Sequence, residues 1–96
     1  MVKHIIVFKL KDNSAEGRQK LKEVLSSMTG NVPSARKIEV RIDQLRSARS
    51  YDVYLSVDVD SWDQLEEYQK DAYHVGVVKK YVHGVVENSV AIDYEI

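Results

Sequence analysis

The feature that most constrains the fold is the first segment, Val2 to Leu10, because it is apolar on two sides. The segment is rich in β-branched and aromatic residues, which favour an extended strand. Successive side chains of a strand point to opposite faces. The two sets are His4, Ile6, Phe8 and Leu10 on one face, and Ile5 and Val7 on the other. A strand that is apolar on both faces must be covered on both, so we expect helices over one face and a further apolar surface against the other.

Three more strands and three helical segments follow from the spacing of apolar residues along the rest of the chain. Alternation of apolar and polar residues indicates strands, and apolar residues three and four positions apart indicate helices. The predicted strands are Lys37 to Asp43, Tyr51 to Val59 and Ser89 to Ile96, the last with Val90, Ile92 and Tyr94 at alternate positions. The predicted helices are Asn13 to Met28, one that opens at Ser61, and a short one within Tyr73 to Val86.

The helices also carry specific local predictions. Capping boxes are expected at Asn13 with Glu16 and at Ser61 with Gln64. The inward stripe of the second helix should hold Trp62, Leu65 and Tyr68. In the short third helix, which Gly84 should break, the residues at helical spacing are Val75, Val78, Val82 and Val85.

The third strand, Tyr51 to Val59, should turn its polar residues outward. These are Asp52, Ser56 and Asp58, and they alternate with an apolar set. Arg49, in the connection before the strand, is a candidate to pair with Asp52 or to reach a second subunit.

The element order β-α-β-β-α-(α)-β is that of the ferredoxin-like split βαβ fold, in the α+β class. It predicts a four-stranded antiparallel sheet with helices on one face, built as one domain over residues 1–96. The other sheet face would leave an apolar patch in water. Two sheets packed face to face around a two-fold axis would cover that patch, so we expect a homodimer.

Composition excludes several function classes. A formal net charge of -1 offers no basic excess for phosphates, so nucleic acid is not an expected partner. The chain has no cysteine, and no histidine and carboxylate spacing that indicates a metal site. It shows no glycine-rich phosphate loop or nucleophile elbow, so no cofactor is expected. We expect no membrane partner and a cytoplasmic location, since no signal-peptide layout or long apolar run is present.

Four sequence segments together resemble the stress-responsive α/β-barrel family, often called Dabb. Its members form dimeric barrels from two ferredoxin-like subunits. The segments are VKHIIVFKLKD with His4, the run Arg49 to Val53, YQKDAYHVGVV with Tyr68 and His74, and the terminal VAIDYEI. The likeness spans essentially the whole chain in the family's own order.

The resemblance implies a candidate site and a candidate chemistry. A plant branch of the family includes a polyketide cyclase that closes a linear poly-β-ketone by aldol condensation. Its acid–base residues are similar to His4, His74 and Tyr68. The pocket tyrosine of its first helix is replaced near Leu25, and its His-Pro before the helix histidine is Asp71-Ala72 here. Haem-degrading relatives place their ligand histidine where this chain has Val77 and Val78, which argues against haem.

His4 and His74 therefore have two interpretations. A histidine on an apolar strand face is commonly a buried, hydrogen-bonded core residue, yet an imidazole beside a pocket moves protons near neutral pH. We expect both histidines and Tyr68 to converge on one cavity, whose lining includes Phe8, Leu25 and Val78.

Three functions stay open from the sequence. The first is a dimer that binds a small apolar or aromatic molecule, with a role in stress as one option. The second is a cofactor-free cyclase or lyase that uses His4 and His74, so that the chain is an enzyme only in this case. The third is a purely structural assembly subunit.

Overall fold

Four strands and a set of helices make up the chain, in the order that the apolar spacing predicts. The computed structural model describes residues 1–96. The strands are β1 (Val2–Leu10), β2 (Lys37–Ile42), β3 (Val53–Val59) and β4 (Val86–Glu95). The helices are α1 (Ala15–Ser26), α2 (Trp62–Lys70), and a π-helix (His74–Lys79) that continues directly into α3 (Lys80–Val85). None of the helices has the combination of length and hydrophobicity that crossing a bilayer requires.

The sheet has the strand order β2-β3-β1-β4, so the doubly apolar β1 lies inside it. β1 pairs antiparallel with β3 on one side and with β4 on the other, and β2 pairs antiparallel with β3. This confirms the α+β ferredoxin-like sheet. Directly opposed residues of neighbouring antiparallel strands point to the same face. The register therefore places His4 beside Val57 and Asp93 on one face, and Val7 beside Tyr54 and Val90 on the other.

The helix-covered face holds the hydrophobic core. Alternate residues of β1 and β3 meet the inner sides of α1, α2 and the π-helix there, as predicted for the His4 face. The buried core residues are Val2, Phe8, Leu10, Leu21, Leu25, Met28, Val32, Val40, Val53, Leu55, Val57, Val59, Tyr68 and Val78.

The opposite face of the sheet, the open face, has no helix over it. On β4, Val90, Ile92 and Tyr94 project from this side, and Ile92 is 60% exposed. The apolar side chains of the open face are Ile5, Val7, Tyr54, Val90, Ile92 and Tyr94. Exposed apolar patches of this kind mark interaction surfaces in proteins of this size.

The helix starts agree only in part with the predicted caps. The Ser14 hydroxyl, not the side chain of Asn13, caps α1 by accepting a hydrogen bond from the Gly17 amide. Ser61 caps α2 as expected, accepting from the Gln64 amide. Trp62 was predicted to face inward, which is wrong: the side chain is 46% exposed, and its indole N–H donates to Glu95 of β4. The first residue of a helix lies at the edge of the packed layer, where an indole binds across to a strand end.

The segment from Tyr73 to Val86 is helical but not in the predicted register. Residues His74–Lys79 form a π-helix, whose wider turn shifts side chains relative to α-helical spacing. Val75, predicted to share a face with Val78, is consequently exposed while Val78 is buried. Gly84 does not break the helix, because α3 runs through it and ends at Val85.

Asp52, the residue before β3, is buried and does not face outward as predicted. It is 1% exposed, and its carboxylate accepts from the Leu10 amide and from the Arg46 guanidinium. Burial alone would raise the pKa of Asp52, but the hydrogen bonds from Leu10 and Arg46 outweigh it and lower the pKa. Arg46 therefore takes the position predicted for Arg49. Ser56 and Asp58 lie on the open face, opposite Ile5 and Lys3, as predicted, but they are buried there because strands flank β3 on both sides.

We predict that Phe8→Ala lowers the free energy of unfolding by about 3–5 kcal/mol, because the ring is almost fully buried and leaves a cavity. Ile6 lies on the same face but is only partly buried. Ile6→Ala should therefore lower the free energy of unfolding by less, about 2 kcal/mol. Chemical denaturation of both variants measures the difference, and an unchanged Phe8→Ala protein would show that the covered face is misassigned.

Candidate functional site

A cavity of about 180 Å³ lies between the covered face of the sheet and the α2 to α3 segment. β1, β3 and β4 line it on the sheet side, and α2, the π-helix and α3 line the other side, with one residue from α1. Its lining is His4, Ile6, Phe8, Leu25, Leu55, Tyr68, Gln69, His74, Val78, Lys79, Val82 and Ser89. The structure thus brings together all six residues that the sequence placed at a pocket.

His4 is held by a carboxylate on the neighbouring strand. It is 5% exposed, and its Nδ1 is hydrogen-bonded to Asp93 Oδ1, the residue directly opposite it on β4. An ionised carboxylate only accepts, so Nδ1 is the donor, and in the neutral form of the ring Nε2 carries the lone pair. Nε2 is buried and has no hydrogen-bond partner within the protein. This arrangement orients the ring and leaves a basic nitrogen available.

His74 opens the π-helix from the other side of the cavity. Asp71 positions this turn, because its carboxylate accepts from the backbone amides of Tyr73 and His74. The imidazole is 7% exposed, and its Nδ1 lacks a partner within the protein. Burial lowers the pKa of His74, and the charge of Lys79 lowers it further. At neutral pH the ring is therefore uncharged.

Tyr68 lies between the two histidines and packs against both. Its ring stacks on His74 at a centroid distance of 4.3 Å and meets His4 edge to face at 5.8 Å. Its buried hydroxyl donates to Met28 Sδ at 3.7 Å and not to His74. Burial raises the pKa of Tyr68, so the phenol stays protonated. Its catalytic role, like those of His4 and His74, stays a prediction.

Four polar residues of the site were not predicted from the sequence: Asp93, Gln69, Lys79 and Ser89. Asp93 lies between Ile92 and Tyr94, so the sequence indicates that it points to the opposite face from them. Its contact with His4, however, depends on the pairing of β4 with β1. Gln69 and Lys79 had no distinguishing motif. The departure at Asp71 and Ala72 leaves an ordered backbone, because Asp71 caps the turn that follows it.

The chain holds no cluster of three or more histidine, cysteine or carboxylate side chains that could bind a metal ion. The polar groups of the cavity are instead imidazoles, a phenol, an amide, a hydroxyl and an ammonium. These groups form hydrogen bonds and transfer protons.

Solved structures with the same fold include proteins from bacteria and plants. A dimeric protein of unknown function and ferredoxin-like fold from Bacteroides fragilis is 27% identical, with a TM-score of 0.82 over 99% of this chain and 95% of that one. A Dabb family protein from Mesorhizobium loti is 20% identical, with a TM-score of 0.84 over 99% and 95%. The hydroxynitrile lyase of Passiflora edulis is 14% identical, with a TM-score of 0.81 over 99% and 92%.

Comparison with curated proteins gives no match. The sequence model of the stress-responsive A/B barrel domain, Dabb, matches residues 2–96. That match covers nearly every residue, including each element that lines the cavity. The chain therefore belongs to the stress-responsive A/B barrel (Dabb) domain family.

Proposed function

We propose that this protein binds a small, largely apolar molecule in the cavity between His4 and His74. One observation carries the proposal: two buried imidazoles line the cavity, and each has a ring nitrogen without a partner in the protein. Such unpaired buried groups are rare and cost about 1–3 kcal/mol each. A purely structural histidine pair would satisfy these nitrogens. A ligand with polar atoms near them would supply the missing hydrogen bonds.

The volume of the cavity limits the size of the ligand. Typical pockets for drug-sized molecules are roughly 300–1,000 Å³, whereas a dry cavity of about 150 Å³ holds benzene. At about 180 Å³ this cavity fits one aromatic ring with a short substituent. A linear poly-β-ketone would need the cavity to widen, so we propose a single-ring compound as the ligand class.

The cytoplasmic location and the role in stress stay predictions.

We expect benzyl alcohol to bind with a dissociation constant on the order of 1 mM, as suits a ligand of few heavy atoms. Val78→Phe, which fills the cavity from the π-helix, should abolish binding. Val75→Phe, three positions away and exposed, should leave it unchanged. Amide NMR shifts of full-length protein report both results, and thermal unfolding checks that Val78→Phe is folded. Binding that survives in folded Val78→Phe protein would place the ligand elsewhere.

Proton transfer is a second candidate function, favoured by the pair of His4 and Asp93. Nε2 of His4 would take a proton from a carbon next to a carbonyl, which leaves an enolate and an imidazolium. Asp93, on Nδ1, would stabilise that imidazolium. Return of the proton from Nε2 to carbon restores the neutral ring. The protein would then act as a cofactor-free enzyme of the lyase or cyclase type.

This candidate predicts that the protein accelerates exchange of the methyl protons of acetophenone in D₂O. His4→Ala should reduce the acceleration by about 10²-fold or more, since it removes the general base, and Asp93→Asn should reduce it less, because the amide does not stabilise the imidazolium. His83→Ala removes the exposed third histidine and should have no effect. Proton NMR follows the loss of the methyl signal. Equal exchange with wild type and His4→Ala protein would leave the chain as a binding protein only.

We further propose that the protein is a homodimer whose two open faces pack against each other. Six apolar side chains of β1, β3 and β4 project from a face that no helix covers. The similar Bacteroides fragilis protein is described as dimeric. An obligate interface of this type buries roughly 2,000 Å² or more.

The dimer should have twice the chain mass of 11.0 kDa, about 22 kDa, in light scattering at micromolar concentration. Ile92→Lys places a charge among the apolar side chains of the open face, beside Ile5, and should yield monomers or insoluble protein. The control is Val75→Lys, at an apolar, exposed position on the helix side, which should leave the dimer intact. A wild-type mass of 11.0 kDa would contradict the proposal.

A further inference from the structure

The lining of the cavity contains one side chain with a permanent charge, and that charge is positive. Lys79 lines the cavity, and no aspartate or glutamate does. His74 and Tyr68 are both neutral at pH 7, since burial lowers the pKa of the first and raises that of the second. Asp93 is hydrogen-bonded to His4 and is not among the residues that line the cavity. The wall is thus apolar and neutral polar, with a single ammonium.

Lys79 stands at the rim, within electrostatic reach of the site. It is the last residue of the π-helix that His74 begins, and its charge acts on the His74 imidazole. Its side chain is exposed and forms no salt bridge. It also borders a surface hollow lined by Val75, Lys80, Val82 and His83. An ammonium at the mouth of an apolar cavity, with no carboxylate of the protein attached to it, is free to meet an anion of the ligand.

We infer that the ligand of this cavity is a single-ring carboxylate, whose anionic group lies at Lys79 and whose ring packs against Phe8, Leu25 and Val78. The inference rests on the proposed binding function and adds the charge of the ligand. Charge-assisted hydrogen bonds are about twice as strong as neutral ones. An ammonium can donate three of them without a fixed geometry, which suits a rim position. Lys79 would then determine specificity, while the apolar wall supplies the affinity shared by neutral and charged rings.

Two probes of the same ring size separate these contributions: benzoate, which is anionic, and benzyl alcohol, which is neutral. Wild-type full-length protein should bind benzoate about tenfold more tightly than benzyl alcohol. Lys79→Gln should remove that preference and leave the affinity for benzyl alcohol within about twofold. The matched control is Lys80→Gln, the adjacent exposed lysine that does not line the cavity, which should keep the preference. Titrations by NMR at low salt measure all six dissociation constants.

A spectroscopic readout checks that Lys79 acts at the site. Because its charge lowers the pKa of His74, Lys79→Gln should raise that pKa in an imidazole proton titration, and Lys80→Gln should not. An unchanged His74 titration in Lys79→Gln protein overturns the placement of the ammonium. Equal binding of both probes to wild type, or a preference that survives Lys79→Gln, overturns the carboxylate inference while the binding function stands. Failure of both probes to bind overturns the binding function itself.

Discussion

The position of β1 inside the sheet is the constraint on which the rest of the structure depends. β3 and β4 pair with it on both sides, so its register fixes which side chains of three strands share a face. A slip of one residue would exchange the two faces of β1. His4 and Phe8 would then leave the core side, and Ile5 and Val7 would enter it. The fold, the cavity and the open face are therefore consequences of one pairing.

The same pairing creates the most chemically informative contact of the molecule. His4 and Asp93 are directly opposed in the β1–β4 register and lie 89 positions apart in sequence. Cross-strand neighbours on one face are the closest side chains in a sheet. The carboxylate holds the ring and selects its tautomer, as the second residue of a base–orienter pair does. The rigid sheet positions this pair more firmly than a loop would.

The other side of the cavity is built by a less regular element. The π-helix from His74 to Lys79 turns His74 and Val78 inward and Val75 outward. Such wide turns occur frequently at functional sites, because they move side chains out of the α-helical pattern. Asp71 fixes where the segment begins, and the Tyr68 ring supports the imidazole of His74. The two histidines thus reach one cavity from different elements, a strand and a π-helix.

Much of the fold was predictable because periodicity is a local property. The strands, the helix-covered face of β1 and the cap at Ser61 could all be inferred from neighbouring residues. The resemblance added His4, Tyr68 and His74 as a group, and the structure places them around one cavity. The inward face of Trp62 and the break at Gly84 were wrong, because helix ends and π-turns depend on packing against other elements.

Which faces are apolar can be inferred from the sequence alone, since that follows from a period of two or of 3.6 residues. Which polar groups meet depends on how the elements pack together. The contacts of Asp93 with His4, Arg46 with Asp52 and Tyr68 with Met28 join residues on separate elements or in an irregular loop. Strand register and the packing of separate elements determine those contacts, and neither can be inferred from the local spacing of residues. The charge at the rim of the cavity, Lys79, likewise became visible only once the π-helix had placed it there.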